Sequence, residues 1–113
     1  MDRAGIEALC LSLPGATLDY PFGPDAAVFK VGGKMFCMMG ERRGVSFKVS
    51  DMAYQILTEN GLARPAPYLA RARWVNLPDP SAWSEADLVG HLAAAHALVA
   101  SRLTRAQKAA LGL

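Results

Sequence analysis

Two adjacent glycines, Gly32 and Gly33, constrain the fold of this chain more than any other feature of its sequence. They separate two runs of strand-forming residues, at positions 27–31 and 34–39. Two residues that accept a positive φ between two such runs are typical of a tight β-hairpin. The second run is apolar at nearly every position, as expected for a strand in the interior of a sheet. The centre of the chain is therefore predicted to be an antiparallel sheet.

A third strand is predicted at positions 45–49, after a turn at positions 41–44. Its side chains alternate in character, so that apolar and polar residues should point to opposite faces of the sheet. Val45, Phe47 and Val49 would face the core, whereas Ser46 and Lys48 would face away from it. Two further strands are predicted at positions 16–20 and 74–77, while positions 64–73 give no clear pattern beyond a short helix that Pro67 could begin.

Three segments have the periodicity and the end signals of helices. The first spans positions 2–13, and the second follows Ser50 with an apolar stripe of Ala53, Ile56 and Leu57. The third follows Ser84 and is expected to continue to about Leu103. Its core-facing residues are predicted to be Leu88, Leu92, Ala95 and Val99. Positions 104–113 are expected to be a frayed end. The predicted fold is a two-layer α+β domain over residues 1–113, with about five antiparallel strands and helices packed on one face.

Composition agrees with such a domain and restricts its location. The 113 residues are 52% hydrophobic and carry a net charge of +2, which suits a globular chain rather than a disordered one. No apolar stretch approaches the roughly 18–20 residues that cross a bilayer, so no membrane partner is expected. The N-terminus lacks the pattern of a signal peptide, and the predicted location is the cytoplasm.

The residues that usually carry catalysis form no recognisable pattern. Cys10 and Cys37 are predicted to be buried free thiols, and His91 and His96 have no metal-ligand spacing, so neither a metal site nor a cofactor is expected. His96 is predicted to be a partly buried, hydrogen-bonded histidine or a surface residue rather than a general base. Neither a nucleophile elbow nor a phosphate-binding loop is present. The chain is therefore predicted not to be an enzyme.

The charge distribution is less even than the net charge suggests. Between Val28 and Val75 eight basic residues face three acidic ones, a net charge of +5, and the two ends carry −3. Lys30 and Lys48 are expected on the sheet face opposite the core, where they could contact phosphates. A solvated face with edge-protecting lysines explains the same charges, and composition alone favours it. Trp74 could stack on a base or fill the core, and the core is favoured.

Several motifs together resemble the MmcQ/YjbR family of small bacterial proteins. They are Leu13-Pro14-Gly15, the segments at positions 19–24 and 28–36, Ser46-Phe47-Lys48 and Trp74. The resemblance covers nearly the whole chain. It implies a two-layer α+β fold similar to frataxin-type and secretion-chaperone folds and to a "double wing" DNA-binding domain. Many members have a basic-His-Trp sequence before the last strand, whereas this chain has Arg71-Ala72-Arg73-Trp74.

The resemblance and the charges lead to a first hypothesis, a non-enzymatic DNA-binding protein that uses a basic sheet face. The candidate contact residues are Lys30, Lys34, Lys48, Arg71, Arg73 and Trp74. Binding would be weak and salt-sensitive, because the sequence has no recognition helix rich in base-reading side chains.

Two other hypotheses remain open. One is a protein-interaction or small-ligand module, as a chaperone-like fold implies, in which Tyr20, Phe22 and Tyr68 beside the Pro-Gly loop line a pocket. The other is a small enzyme, which would require four residues to converge in space. These residues are Asp19, Lys30, Lys48 and His96.

Overall fold

One antiparallel sheet organises the protein. The computed structural model describes residues 1–40 and 44–113, so the turn predicted at positions 41–44 lies, except for Gly44, outside the described residues. In these ranges the sheet has six strands in the order β1-β2-β3-β4-β6-β5. The strands are β1 (Ala16–Asp19), β2 (Ala26–Val31), β3 (Lys34–Gly40), β4 (Val45–Lys48), β5 (Arg64–Pro65) and β6 (Trp74–Leu77).

Four α-helices accompany this sheet in the described part of the chain. They are α1 (Arg3–Ser12), α2 (Asp51–Glu59), α3 (Glu85–Ala100) and α4 (Arg105–Leu111). Each begins after a side chain that accepts a hydrogen bond from a backbone N–H of the first turn, which satisfies a donor that the helix leaves unpaired. These capping residues are Asp2, Ser50, Ser84 and Thr104. Short 3₁₀ turns occur at Ala70–Ala72 and Pro80–Ala82.

The predicted glycine hairpin joins β2 to β3. Gly32 and Gly33 have φ angles of 59° and 78°, which a two-residue hairpin turn of this kind requires. The register shifts between Phe29 and Lys30, because Phe29 pairs with Cys37 whereas Lys30 pairs with Met35. Phe36 is the extra residue of this bulge, and it is fully buried in the core beside Cys37.

The hydrophobic core lies between one face of the sheet and the helices. Phe29, Phe36 and Phe47 are completely buried there together with Leu88 and Leu92 of α3. The four residues predicted to face the core from α3 are all buried, and α1, α2 and α4 each place side chains in or against the same cluster. The predicted α+β class with helices on one face of an antiparallel sheet is confirmed.

Three local predictions differ from the structure. The sheet has one strand more than the five predicted, since Arg64–Pro65 pairs with β6 and the helix proposed to begin at Pro67 does not form. Ile56 is 50% exposed because α2 turns Ala53, Tyr54 and Leu57 inward. The third helix ends at Ala100 rather than near Leu103.

The C-terminal segment is a capped helix rather than the predicted frayed end. The Thr104 hydroxyl accepts a hydrogen bond from the backbone of Gln107, whose side chain accepts one from the backbone of Thr104. This reciprocal capping box fixes the start of α4. Gly112 ends the helix with a φ of 72°, and Leu111 packs against the core.

Candidate ligand-binding groove

The sheet face opposite the core contains a groove of about 440 Å³. Side chains alternate between the two faces along each strand, so those that do not enter the core lie on this face. The sheet groove is defined here by its floor and its two ends. Met35, Met38, Ser46 and Asn76 lie in the floor, Arg64 lies beside Asn76, and Phe22 and Tyr68 are at the ends.

A row of paired residues crosses the floor of the sheet groove. The strand register places Met38 opposite Ser46, Ser46 opposite Asn76, and Asn76 opposite Arg64. Arg64 Nε donates a hydrogen bond to Asn76 Oδ1 at 2.8 Å, and Asn76 Nδ2 donates one to Ser46 Oγ at 2.9 Å. Ser46 and Asn76 are buried, whereas Arg64 is exposed. The two buried residues therefore hold one edge of the guanidinium in a fixed position.

The two ends of the sheet groove are exposed aromatic side chains. Phe22 is 65% exposed and Tyr68 is fully exposed. Tyr68 has a φ of 66°, a left-handed conformation that costs a residue with a Cβ about 1–2 kcal/mol. A turn in which Leu69 N donates to Ala66 O holds Tyr68 in this position, and Ala66 N in turn donates to Trp74 O. The backbone around β5 and β6 thus determines where this aromatic ring lies.

Three of the predicted phosphate contacts already have partners within the protein. Lys30 forms an ion pair with Asp19 at 3.1 Å, and Arg73 Nε donates to Asp51 Oδ1 at 2.8 Å. Lys48 does lie on the predicted face, where its ammonium donates to the carbonyl of Ala72. These contacts neutralise or orient the charges of the sheet face before any ligand is bound.

Burial and hydrogen bonding alter the pKa values of two of these groups. Burial lowers the pKa of Lys48, and the nearby charge of Arg102 lowers it further. The pKa of Asp19 is lowered by the hydrogen bond from the backbone of Tyr20 and by the bond from Lys30. The lowered pKa favours the charged form of Asp19, whereas it disfavours the charged form of Lys48.

The other candidates for DNA contact are distributed along the molecule. Lys34 is exposed beside the β2–β3 hairpin, and Arg71 is exposed in the 3₁₀ turn before β6. Trp74 is only 3% exposed, so it is buried and little of its indole surface is open to a base. The strand register pairs it with Lys48, and it is not part of the core cluster beneath the helices. Of the predicted pocket residues, Phe22 and Tyr68 lie at the sheet groove, whereas Tyr20 is exposed outside its described lining.

The residues proposed for a catalytic site do not converge. Asp19 and Lys30 pair on the open face, but His96 is buried on the core side, edge-on to Phe36 at 5.3 Å. His96 Nε2 lies 2.7 Å from the carbonyl oxygen of Pro14, so of the two positions predicted for this histidine the buried, hydrogen-bonded one is observed. Cys10 and Cys37 are buried free thiols, as predicted. Burial, and then the neighbouring Cys10, raises the pKa of Cys37.

Two classes of feature are absent from the residues that the structure describes. No group of three or more His, Cys, Asp or Glu side chains in residues 1–40 and 44–113 could hold a metal ion. No helix in the same ranges is long and apolar enough to cross a membrane.

Sequence reasoning placed Ser46 on the correct face but missed the polar row as a unit. The available signal was a polar residue between buried apolar neighbours, since Ser46 lies between Val45 and Phe47 and Asn76 interrupts an otherwise apolar strand. The row becomes visible only when β4, β6 and β5 are known to be neighbours. Arg64 could not be assigned to it, because β5 has only two residues.

Comparison with known proteins gives a consistent result. The model of a family described as YjbR matches residues 11–98. A relative from Escherichia coli O157:H7, described as uncharacterized protein YbdF, is 35% identical over 82 residues, which is 69% of this chain and 67% of the relative. The crystal structure of Deinococcus radiodurans protein DR2400, with family domain DUF419, is similar over 97% of this chain and 87% of its own, with a TM-score of 0.86. At 23% identity, that similarity concerns the fold.

Proposed function

This chain belongs to the YjbR family, and we propose that it acts as a non-enzymatic module that binds a small ligand in the sheet groove. The observation that carries this proposal is the groove itself, about 440 Å³ with an apolar floor crossed by an ordered polar row. Small-molecule sites have this combination of apolar lining and a few positioned polar groups, and volumes from about 300 to 1,000 Å³.

The apolar part of the floor can accommodate apolar groups of different shapes. Met35 and Met38 are half-buried there, and an adaptable thioether side chain can repack around different apolar groups. Phe22 and Tyr68 offer exposed ring surface on either side. A bound apolar group would remove this surface from water, which is the main source of binding free energy for such sites.

The hydrogen bonding of Ser46 supports binding rather than catalysis. Its hydroxyl accepts from Asn76, and the described lining of the sheet groove includes neither a histidine nor a carboxylate that would deprotonate it. A serine nucleophile needs such a base within hydrogen-bond distance. The hydroxyl therefore serves to orient Asn76 and, through it, Arg64.

The proposal is tested with a neutral fluorescent probe, N-phenyl-1-naphthylamine, whose emission rises in apolar surroundings. Met38→Lys places a charge in the floor, and we expect it to weaken probe binding by about tenfold or more, because the ammonium would have to be desolvated by the probe. Met52→Lys is the matched control, since Met52 is 73% exposed on α2, away from the sheet groove. Equal affinity in both variants and wild type, with folding verified by circular dichroism, would contradict the proposal.

DNA binding is the second candidate and stays a prediction. The sequence favours it through the +5 charge of the middle segment, but Lys30 and Arg73 are paired with carboxylates and Trp74 is buried. We therefore rank it behind the ligand module. Fluorescence anisotropy with a labelled random duplex at about 50 and 200 mM salt tests it, because phosphate contacts weaken steeply over that range. Salt-sensitive binding that is lost in Lys30→Ala/Lys48→Ala would move DNA to first place.

A further inference from the structure

We infer that the ligand of the sheet groove is a small amphipathic carboxylate, with its carboxylate bound by Arg64 and its apolar body lying over Met35 and Met38. The inference rests on the proposed function and specifies its ligand. It follows from the geometry of one arginine, the charge of the surrounding lining and the two exposed aromatic rings.

The guanidinium of Arg64 is oriented by one hydrogen bond and has further N–H donors that the described residues do not use. Its Nε is engaged by Asn76 Oδ1 at 2.8 Å, and Asn76 is in turn held by Ser46 and by its place in β6. The two terminal nitrogens of Arg64 make no hydrogen bond to any other described residue. Those nitrogens form a planar fork that matches the two oxygens of a carboxylate. Because the guanidinium is already oriented, little side-chain entropy would be lost on binding.

The charge around the sheet groove favours an anion with a single negative charge. Arg64 is the one charged side chain in its described lining, and no described carboxylate there compensates it. Two other cations of this face have partners of their own, since Lys30 is paired with Asp19 and Lys48 donates to the carbonyl of Ala72. Among the residues that the structure describes, a guanidinium with no carboxylate partner thus lies beside an apolar floor, an arrangement complementary to a monoanion with an apolar body.

The ends of the sheet groove fit the apolar part of this ligand. Tyr68 is held in a left-handed conformation with its ring fully exposed, although a tyrosine gains nothing in the free protein from either condition. Backbone strain of this kind is concentrated at binding sites, where the surrounding structure maintains it. An apolar body lying over Met38 would cover the inner surfaces of Tyr68 and Phe22.

The volume of the sheet groove indicates a small molecule rather than a polypeptide. About 440 Å³ is near the lower end of the range for small-molecule sites. A peptide with a free C-terminal carboxylate would present the same charged group, so the test includes one as a separate arm.

The experiment compares 4-phenylbutyrate with its neutral isostere 4-phenylbutanamide by isothermal titration calorimetry at neutral pH. Wild-type protein is expected to bind the carboxylate at least about tenfold more tightly than the amide. Arg64→Met should remove this preference and leave the amide affinity unchanged within about twofold. Arg64→Lys keeps the charge without the fork and should retain part of the preference. Arg71→Met, at an exposed arginine outside the described lining, is the matched control and should behave as wild type.

A measurement on the unmutated protein covers the case in which a variant fails to fold. In ¹⁵N-labelled wild type, the Nε–H resonance of Arg64 is expected to shift on titration with 4-phenylbutyrate and to stay in place with the amide. No shift with the carboxylate would overturn the inference.

The other outcomes separate this inference from the proposed function. Equal binding of acid and amide, with Arg64→Met unchanged, would overturn the carboxylate assignment and leave the small-ligand function intact. Failure of both compounds and of the neutral fluorescent probe to bind would overturn both. Tighter binding of a leucine-terminated peptide with a free carboxylate than of 4-phenylbutyrate would overturn the assignment to a small molecule.

Discussion

Gly44 lies directly against the backbone at the end of β6. Its φ is 69°, and a Cβ built on it would lie 2.0 Å from the carbonyl oxygen of Leu77 and 2.5 Å from that of Pro78. Both obstacles are backbone atoms, which cannot move without displacing the end of β6. Gly33 shares the left-handed conformation, with a φ of 78°, but a Cβ there would meet nothing within 4 Å. Alanine substitutions at the two glycines therefore distinguish two losses of stability. One comes from a Cβ in the left-handed conformation alone, and the other from the added collision with the backbone.

Substituting alanine at each glycine should give very different losses of stability. Gly33→Ala is expected to lower the free energy of unfolding by about 1 kcal/mol, the usual cost of placing a Cβ in the left-handed region. Gly44→Ala adds a backbone collision and is expected to cost about 3–5 kcal/mol, as the most severe single substitutions do. Urea denaturation measures both. Similar losses in the two variants would show that β4 can move away from β6 at little cost.

At the scale of elements, local signals were predictable and pairings between distant segments were not. The hairpin at Gly32-Gly33 and the helix starts at Ser50 and Ser84 depend on neighbouring residues, and all were anticipated. β5 is two residues long and exists only because it pairs with β6. The polar row of the sheet groove depends on the same pairing, so neither could be inferred from periodicity. The sequence does not predict α4 for another reason. Its capping box is followed by a helix of only seven residues.

His91 of α3 packs against two aromatic rings, those of Trp83 and Phe47. Its ring centroid lies 4.9 Å from that of Trp83 and 5.9 Å from that of Phe47, while Trp83 Nε1 donates to the carbonyl of Leu62. Burial among these rings lowers the pKa of His91, and the nearby carboxylate of Asp87 opposes this only in part. The neutral imidazole is therefore the form that suits the folded protein.

His91 is expected to make the protein less stable in mild acid. Because its pKa is lower in the folded chain than in the unfolded chain, the unfolded chain binds the proton more readily as the pH falls below about 6.5. The free energy of unfolding should therefore decrease from there until the folded-state pKa is passed, and His91 should contribute no slope above that window. Urea denaturation between about pH 5 and 8 measures the slope. His91→Gln should show a shallower dependence; an unchanged slope would assign the effect to another group.

At the scale of the whole molecule, the two faces of the sheet have different roles. One face is covered by the helices and holds the core, including Phe29, Phe36 and Phe47. The other retains a groove with half-buried methionines and an arginine held by a buried amide. Since folding does not cover the second face, its apolar surface contributes less to the stability of the free protein than the core does. A ligand that occupies it would add to stability without changing the fold.

Binding should therefore be visible as stabilisation of the entire chain. A ligand that binds only the folded protein raises the free energy of unfolding by about 1.4 kcal/mol at ten times its dissociation constant. For a domain of this size that corresponds to roughly 5 °C in the melting temperature. Differential scanning calorimetry with 4-phenylbutyrate at that multiple of its calorimetric dissociation constant measures the shift. Met38→Glu at the same concentration should show little, because a carboxylate in the floor repels the anionic ligand and resists desolvation. A comparable shift in Met38→Glu would place the binding site outside the sheet groove.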